Sequence, residues 1–183
     1  MPKRKIDPNK PKIQLPAGKN YLKVKNVVIK NNLHTICQSG HCPNMAECWG
    51  NGTATFMILG NICTRSCKFC SVKTGKPEKV DENEPEKIAD AVLKMHLNHC
   101  VITSVDRDDL EDGGSDIWAE TIKMIHEKSP KTTIETLIPD FEGRMELVNK
   151  IIEQKPEIIS HNLETVERLS NKIRSKAKYK RSM

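Results

Sequence analysis

Six of the chain's seven cysteines fall between residues 37 and 70, in two sets of three: Cys37-x4-Cys42-x5-Cys48 and Cys63-x3-Cys67-x2-Cys70. Spacings this short bring three thiolates around one centre, and thiolates are soft ligands suited to iron–sulfur clusters, zinc or copper(I). A structural zinc site takes four protein ligands. Each set supplies three, so each leaves one metal corner open or draws a ligand from elsewhere. Zinc knuckles completed by His34 or His41 are the alternative reading. Disulfides are disfavoured, because the opening Met1-Pro-Lys-Arg-Lys5 is not followed by an apolar signal segment and the expected location is cytoplasmic. No stretch approaches the roughly 20 apolar residues that cross a bilayer, so no membrane role is expected.

Beyond the cysteines the pattern alternates between two periods. Thr53–Leu59 is a short apolar run ended by Gly60 and predicts a buried strand. Glu84-Pro85 opens a helix with Ile88, Ala91, Val92 and Met95 on one face. Cys100–Val105 predicts a second strand, and Ser115 is read as the cap of a helix with Trp118, Ile122 and Ile125 inward. Thr132–Ile138 is a third strand, followed by a helix over 144–154 that would bury Met145, Val148 and Ile152. A fourth strand begins at Glu157, and its helix sets Val166, Leu169, Ile173 and Ala177 at helical spacing. Four strand–helix units imply a parallel α/β sheet, either doubly wound or barrel-like. A closed eight-unit barrel needs roughly 250 residues, more than this stretch can supply. Sites in such sheets gather at the carboxyl ends of the strands, here the loops 60–75, 106–114, 139–143 and 161–164. Cys100, inside the second strand, is expected to be a small buried apolar residue.

Charge is uneven. Residues 1–30 hold nine Lys or Arg against the single acid Asp7, and residues 168–183 hold seven with none. The first 32 residues also contain Pro2, Pro8, Pro11 and Pro16, which disfavours helix and suggests an extended basic arm. The basic ends are read as solvated arms or as surfaces that steer an acidic partner. Only Tyr21 and Tyr179 lie within basic clusters, too few for a base-stacking surface, so nucleic-acid binding is not expected.

The set Cys63-x3-Cys67-x2-Cys70, with Phe69 between its last two members, resembles the signature of the radical S-adenosylmethionine (SAM) enzymes. Further motifs occur in order: the first cysteine set with Trp49 behind it, Gly52–Gly60, Val101–Leu110, Ile138–Gly143 and His161–Val166. Together they resemble the lipoyl synthase family, over a span from about Leu22 to Met183. The resemblance implies a partial TIM-type barrel of about four β/α units (53–183), an auxiliary-cluster segment (33–52) and the basic arm (1–32).

It also implies a chemistry. Cys63, Cys67 and Cys70 would hold a 4Fe-4S cluster whose open iron chelates SAM, and one-electron reduction would yield a 5′-deoxyadenosyl radical. Cys37, Cys42 and Cys48 would hold a second 4Fe-4S cluster that gives up its sulfide. The substrate would be an octanoyl group on a lipoyl-carrier domain or the glycine cleavage H protein, converted to a lipoyl group by sulfur insertion at C6 and C8. Those hydrogens sit on unactivated carbons that no side-chain acid or base removes, which is why a cofactor radical is needed. Ferredoxin or flavodoxin would supply electrons, and an iron–sulfur carrier protein would rebuild the spent cluster. Thr103, Ser104 and Asp106 fall where the superfamily binds the methionine amino group. Asn162, Glu164 and Arg168 fall where polar groups could hold ribose and carboxylate. On the residues alone, the acids at 106–109 also read as a helix-capping loop, with Arg107 pairing to Asp108 or Glu111. Against the family, the chain is expected to stop about two strand–helix units short, before the serine that supplies the auxiliary cluster's fourth ligand. A non-catalytic cluster-binding fragment is therefore the alternative to an active enzyme.

Overall fold

In the computed structural model, which describes residues 17–183, three helices come first: α1 (Lys19–Lys30), α2 (Ile36–Ser39) and α3 (Met45–Gly50). Strand β1 (Thr53–Ile58) follows, then the two-residue strands β2 (Ile62–Cys63) and β3 (Lys73–Thr74). The alternation then begins: α4 (Glu84–Met95), β4 (His99–Ser104), α5 (Ser115–Lys128), β5 (Thr133–Leu137), α6 (Met145–Glu153), β6 (Ile158–Ser160), α7 (Glu167–Ile173) and α8 (Tyr179–Ser182). All four expected strands are present, each within a residue or two of the reading from apolar runs. Among the described residues no helix is long and apolar enough to cross a membrane.

The main sheet has the order β1-β4-β5-β6 and every pairing is parallel. Its register runs through Phe56, Ile102, Thr136 and Ile159 as successive neighbours. Strands in strict chain order make the sheet grow in one direction, whereas a doubly wound sheet reverses direction at a switch point. The partial-barrel arrangement therefore holds. Ala54, Phe56, Cys100, Ile102 and Ile134 are fully enclosed, and Ile88, Ala91, Val92, Trp118, Ile122 and Ile125 of α4 and α5 close over the sheet. The cysteine-rich segment joins this core through its own backbone, where Thr35 bridges to Phe56 and the Met57 N–H donates to the His34 carbonyl at 2.9 Å, and through the buried side chains of Leu33, Cys37 and Trp49.

Four local expectations are corrected. The basic arm is not extended throughout: its four prolines all precede Lys19, and α1 forms behind them with Tyr21, Val24 and Val28 buried at helical spacing. The Tyr21 ring packs on Trp49 with their centroids 5.3 Å apart. The remainder of the arm, residues 1–16, lies outside the described residues. In α6 the buried pair is Leu147 and Ile151, while Met145 and Ile152 face outward at 58% and 45% exposure. Ser115 does not cap α5. Its hydroxyl lies 3.4 Å from Asp112, and the Asp112 carboxylate accepts the Gly114 and Asp116 N–H groups instead. The fourth helix breaks at Arg174, whose backbone is extended, because the next residues bond to the cysteine loop rather than continue the spiral.

Strand β6 pairs only with β5, and Ile158 and Ile159 are each 42% exposed. Exposed apolar residues and unpaired strand groups of this kind are what an open sheet edge presents.

At the exit of β1 the chain turns sharply into the second cysteine loop. Leu59 adopts φ 68°, a left-handed conformation that ordinary side chains avoid. Three neighbours hold it. The Glu84 carboxylate accepts its N–H at 2.7 Å, the Arg107 guanidinium donates to its carbonyl at 3.3 Å, and Gly114 leaves the room its side chain needs. A β-carbon on Gly114 would come within 2.4 Å of Leu59 Cδ1.

Two predictions follow from these contacts. Ile151→Ala should cost about 2–5 kcal/mol in urea unfolding, against less than about 1 for Ile152→Ala. Equal costs would refute the assigned face of α6. Burial pushes the Glu84 carboxyl up to about 6, from an ordinary value of 4.5, against the Leu59 and Gly60 N–H groups that lower it. A folded-state value above the unfolded one stabilises the fold below the lower value, and that contribution is lost as pH rises through the higher. The stability of the native chain relative to Glu84→Gln should therefore fall by up to about 2 kcal/mol between about pH 4 and about pH 7. Unfolding free energies of both proteins across that range test this, and a flat difference would refute it.

Candidate functional site

The strand exits converge on a cavity of about 370 Å³, within the range of small-molecule sites. Cys63, Cys67 and Cys70 of the loop between β1 and α4 line one part of it. Thr103, Ser104 and Asp106 from the end of β4 line another, and Asn162, Glu164 and Arg174 beyond β6 complete the wall.

The cysteine loop is held by its neighbours rather than by secondary structure of its own. Strands β2 and β3 pair through only two residues, and the Gly75 N–H donates to the Cys63 carbonyl at 3.0 Å. The segment after α7 grips the other end. The Lys68 N–H donates to the Ile173 carbonyl at 2.9 Å, and the Ser66 N–H to Ser175 Oγ at 3.1 Å. Ser175 Oγ also lies 3.8 Å from Cys67 Sγ. Cys63 Sγ receives two backbone N–H groups, from Arg65 at 3.3 Å and Asp106 at 3.4 Å. Burial pushes its thiol up to about 11, opposed by those two donors.

Behind the loop lies a charge cluster that the sequence reading did not identify. The Arg65 guanidinium contacts Asp106 at 3.2 Å, Asp108 at 2.7 Å and Asp140 at 2.8 Å. Lys176 also pairs with Asp108 and Glu142, and Arg181 with Asp140. Burial raises the Asp106 carboxyl despite Arg65, whereas the Arg65 pairings hold Asp108 and Asp140 below the ordinary range. Arg107 takes neither acid weighed for it; it pairs with Asp109 at 2.8 Å and donates to the Glu78 carbonyl. One signal was available: three acids at two strand exits need a cation, and between its cysteines the loop carries two basic residues, Arg65 and Lys68, of which the structure encloses Arg65.

Of the six residues singled out for SAM, five line the cavity. Arg168 is exposed on α7 and is absent from the lining. Thr103 Oγ1 already donates to the Leu137 carbonyl at 3.2 Å, and Asp106 is engaged by Arg65. The Ser104 hydroxyl is buried without a partner. Glu164 sits in the left-handed region at φ 62°. Arg174, which the helical pattern placed on an ordinary helix, is 7% exposed, and its Nη1 meets only neutral oxygens, the Leu163 carbonyl at 3.3 Å and Ser182 Oγ at 3.2 Å. Ser182 Oγ also lies 2.8 Å from His161 Nε2, whose ring is fixed by the Ile138 carbonyl at its other nitrogen.

The first cysteine set is a separate group. Cys37 is buried in α2, while Cys42 and Cys48 are half-buried. They are close enough that burial and the neighbouring Cys37 and Cys42 together raise the Cys48 thiol. Trp49 is fully buried beside Cys48 with its indole N–H unpartnered. His34 is half-buried, and burial lowers its imidazole against the charge of Glu78; His41 is exposed. Among the described residues, no three His, Cys, Asp or Glu side chains already enclose a single metal ion.

The donor set nevertheless fits iron–sulfur ligation. All seven cysteines are free thiols, six of them in two threes, and the second three borders a cavity lined also by Asp106, Glu164 and the buried cation Arg174. Thiolate ligands with N–H donors to sulfur and an adjoining polar pocket are what a cluster that also binds a small molecule requires.

Comparison with known proteins agrees with this geometry. A match to the radical SAM superfamily spans residues 57–183. The lipoyl synthase of Christiangramia forsetii is 58% identical over 180 residues, 98% of this chain and 61% of that protein. The mitochondrial lipoyl synthase of Nematostella vectensis is 59% identical over 182 residues, 100% of this chain and 62% of its own length. That of Flavobacterium johnsoniae is 58% identical over 181 residues, 97% of this chain and 63% of its own. The chain thus spans about three fifths of the length of these curated relatives. With three unpaired cysteines at the rim of a chain-ordered parallel sheet, and with this match across the sheet, the chain belongs to the radical SAM superfamily and within it is similar to the lipoyl synthases.

Proposed function

We propose that this chain carries the cluster- and SAM-binding part of a lipoyl synthase, acting in sulfur insertion at C6 and C8 of a protein-bound octanoyl group. The observation that carries the proposal is the shared cavity: Cys63, Cys67 and Cys70 on one wall, and Thr103, Ser104, Asp106, Asn162, Glu164 and Arg174 on the others.

Cys63, Cys67 and Cys70 would hold a 4Fe-4S cluster by three irons, and with SAM bound to the fourth that centre supplies the carbon radical the substrate demands. The protein's own part is placement and shielding. Ser104 forms part of the wall that would face the methionine moiety. Thr103 and Asp106 fix that wall through their contacts with Leu137 and Arg65. Arg174 is a buried cation with only neutral partners, a better carboxylate ligand than the exposed Arg168, and Asn162 and Glu164 remain free for ribose hydroxyls. Cys37, Cys42 and Cys48 would hold the second cluster, the sulfur source, with Trp49 excluding water behind Cys48. An octanoylated carrier domain or glycine cleavage H protein is the substrate partner. A ferredoxin or flavodoxin supplies electrons, and an iron–sulfur carrier protein restores the spent cluster. The basic segment ahead of α1 would speed encounter with an acidic carrier at low salt.

Loading with iron and sulfide under anaerobic conditions should give about eight irons per chain and a brown protein. Cys63→Ala should remove about four of them and abolish SAM cleavage. Cys37→Ala should remove about four, leave SAM cleavage and abolish thiolation of an octanoyl-domain. Zinc uptake without sulfide would refute the cluster reading. Two loaded clusters with neither SAM cleavage nor thiolation would identify a non-catalytic cluster-binding chain.

A further inference from the structure

Arg65 lies between two of the cluster cysteines in sequence, yet its side chain is 4% exposed and makes no contact with any sulfur. It is spent on carboxylates from two other loops. Nε and Nη2 reach the two oxygens of Asp108 at 2.9 and 2.7 Å, and Nη1 reaches Asp140 Oδ1 at 2.8 Å and Asp106 Oδ1 at 3.2 Å. Asp106 and Asp108 follow β4 and Asp140 follows β5, so one guanidinium joins three successive strand exits. Asp106 has no other cation partner among the described residues.

The backbone of the same residues meets at Cys63. The two N–H groups that donate to Cys63 Sγ belong to Arg65 and Asp106, whose side chains are ion-paired to each other. The sulfur, the two amides and the ion pair thus close a ring. Both amides lie past the strand ends, β2 ending at Cys63 and β4 at Ser104. The Asp106 carbonyl accepts from the Thr64 N–H and hydroxyl at 3.1 and 2.9 Å and the Arg65 carbonyl from Thr74 Oγ1 at 3.1 Å, so the ion pair acts on a backbone already joined loop to loop.

We infer that Arg65 is the positioning residue of the second cysteine set: by clamping Asp106, Asp108 and Asp140 it fixes the two backbone N–H donors on Cys63 Sγ. This rests on the reading of that set as cluster ligands. Hydrogen bonds to ligand sulfurs raise a cluster's reduction potential by stabilising the added electron, and groups that orient ligands typically carry 10–100-fold effects. A lysine keeps the charge but, as a compact ammonium, cannot span three carboxylates as the planar fork does.

The test compares variants that leave the local charge unchanged. Arg65→Lys preserves the cation, and the double variant Arg65→Gln with Asp108→Asn removes one charge of each sign. Each is loaded with iron and sulfide, and the SAM-responsive reduced cluster is titrated by electron paramagnetic resonance. Amide exchange in α5 serves as the check on folding. The expected result is native iron content with a more negative midpoint, the ratio of reduced to oxidised cluster at a fixed potential falling about tenfold, equivalent to about 59 mV. The double variant carries the test if the lysine variant fails to fold. Midpoints equal to the native value in the folded variants would overturn the role of Arg65 alone, because charge without geometry would then suffice. A native chain that takes up no iron, or whose SAM-responsive signal survives Cys63→Ala, would overturn the cluster reading and this inference with it.

Discussion

Parallel pairing in strict chain order is the constraint on which everything else depends. It sends β1, β4, β5 and β6 in one direction, so their exits open on the same side of the sheet. Loops far apart in sequence then become neighbours: Cys63 meets Asp106 and Arg65 meets Asp140, across 43 and 75 residues. An antiparallel arrangement would alternate those loops between two ends and scatter the cysteines from the polar residues that share their cavity.

The rim that results is polar, partly buried and loosely built in secondary-structure terms. The loop bearing Cys63, Cys67 and Cys70 has a two-residue ladder and little else of its own. It is held by side chains and by the chain's last segment: Arg65 from below, Ser175 and the Ile173 carbonyl from the side, Glu84 and Arg107 at the turn that launches it. Such a design leaves the thiols reachable while fixing the backbone that carries them. Asp140 is fully enclosed and Asp106 and Asp108 are half-buried. Arg65, buried among them, and Arg181 offset a cost that for an unpaired buried charge is several kcal/mol, while Lys176 pairs with Asp108 at the surface.

The first cysteine set is attached differently. Helices α1 to α3 pack against one another and touch the sheet near β1, through the Thr35 bridge and the Trp49 side chain, which Tyr21 covers. Two thiol groups in one chain therefore sit in distinct settings. One borders an open cavity between strand exits; the other is packed among short helices against the core. The two settings are not isolated from each other, because Ile36 and Gly40 on either side of Cys37 line the same cavity.

What the sequence alone determined were the quantities that depend on spacing. The two cysteine triads, the four strands with their helices and the loops at 60–75, 106–114, 139–143 and 161–164 were legible, because apolar period and ligand spacing are local properties. What only the tertiary structure decided were choices among near-equal local options. Met145 and Ile152 fit the helical period as well as Leu147 and Ile151, and the position of α5 selects between them. Arg174 fits the fourth helix until bonds to Leu163 and Ser182 and the grip of Ser175 on the cysteine loop outweigh another turn. The partnership of Arg65 with three acids, and its choice over Arg107 for Asp108, depends on where separate loops meet in space, and no periodicity within one segment encodes that meeting.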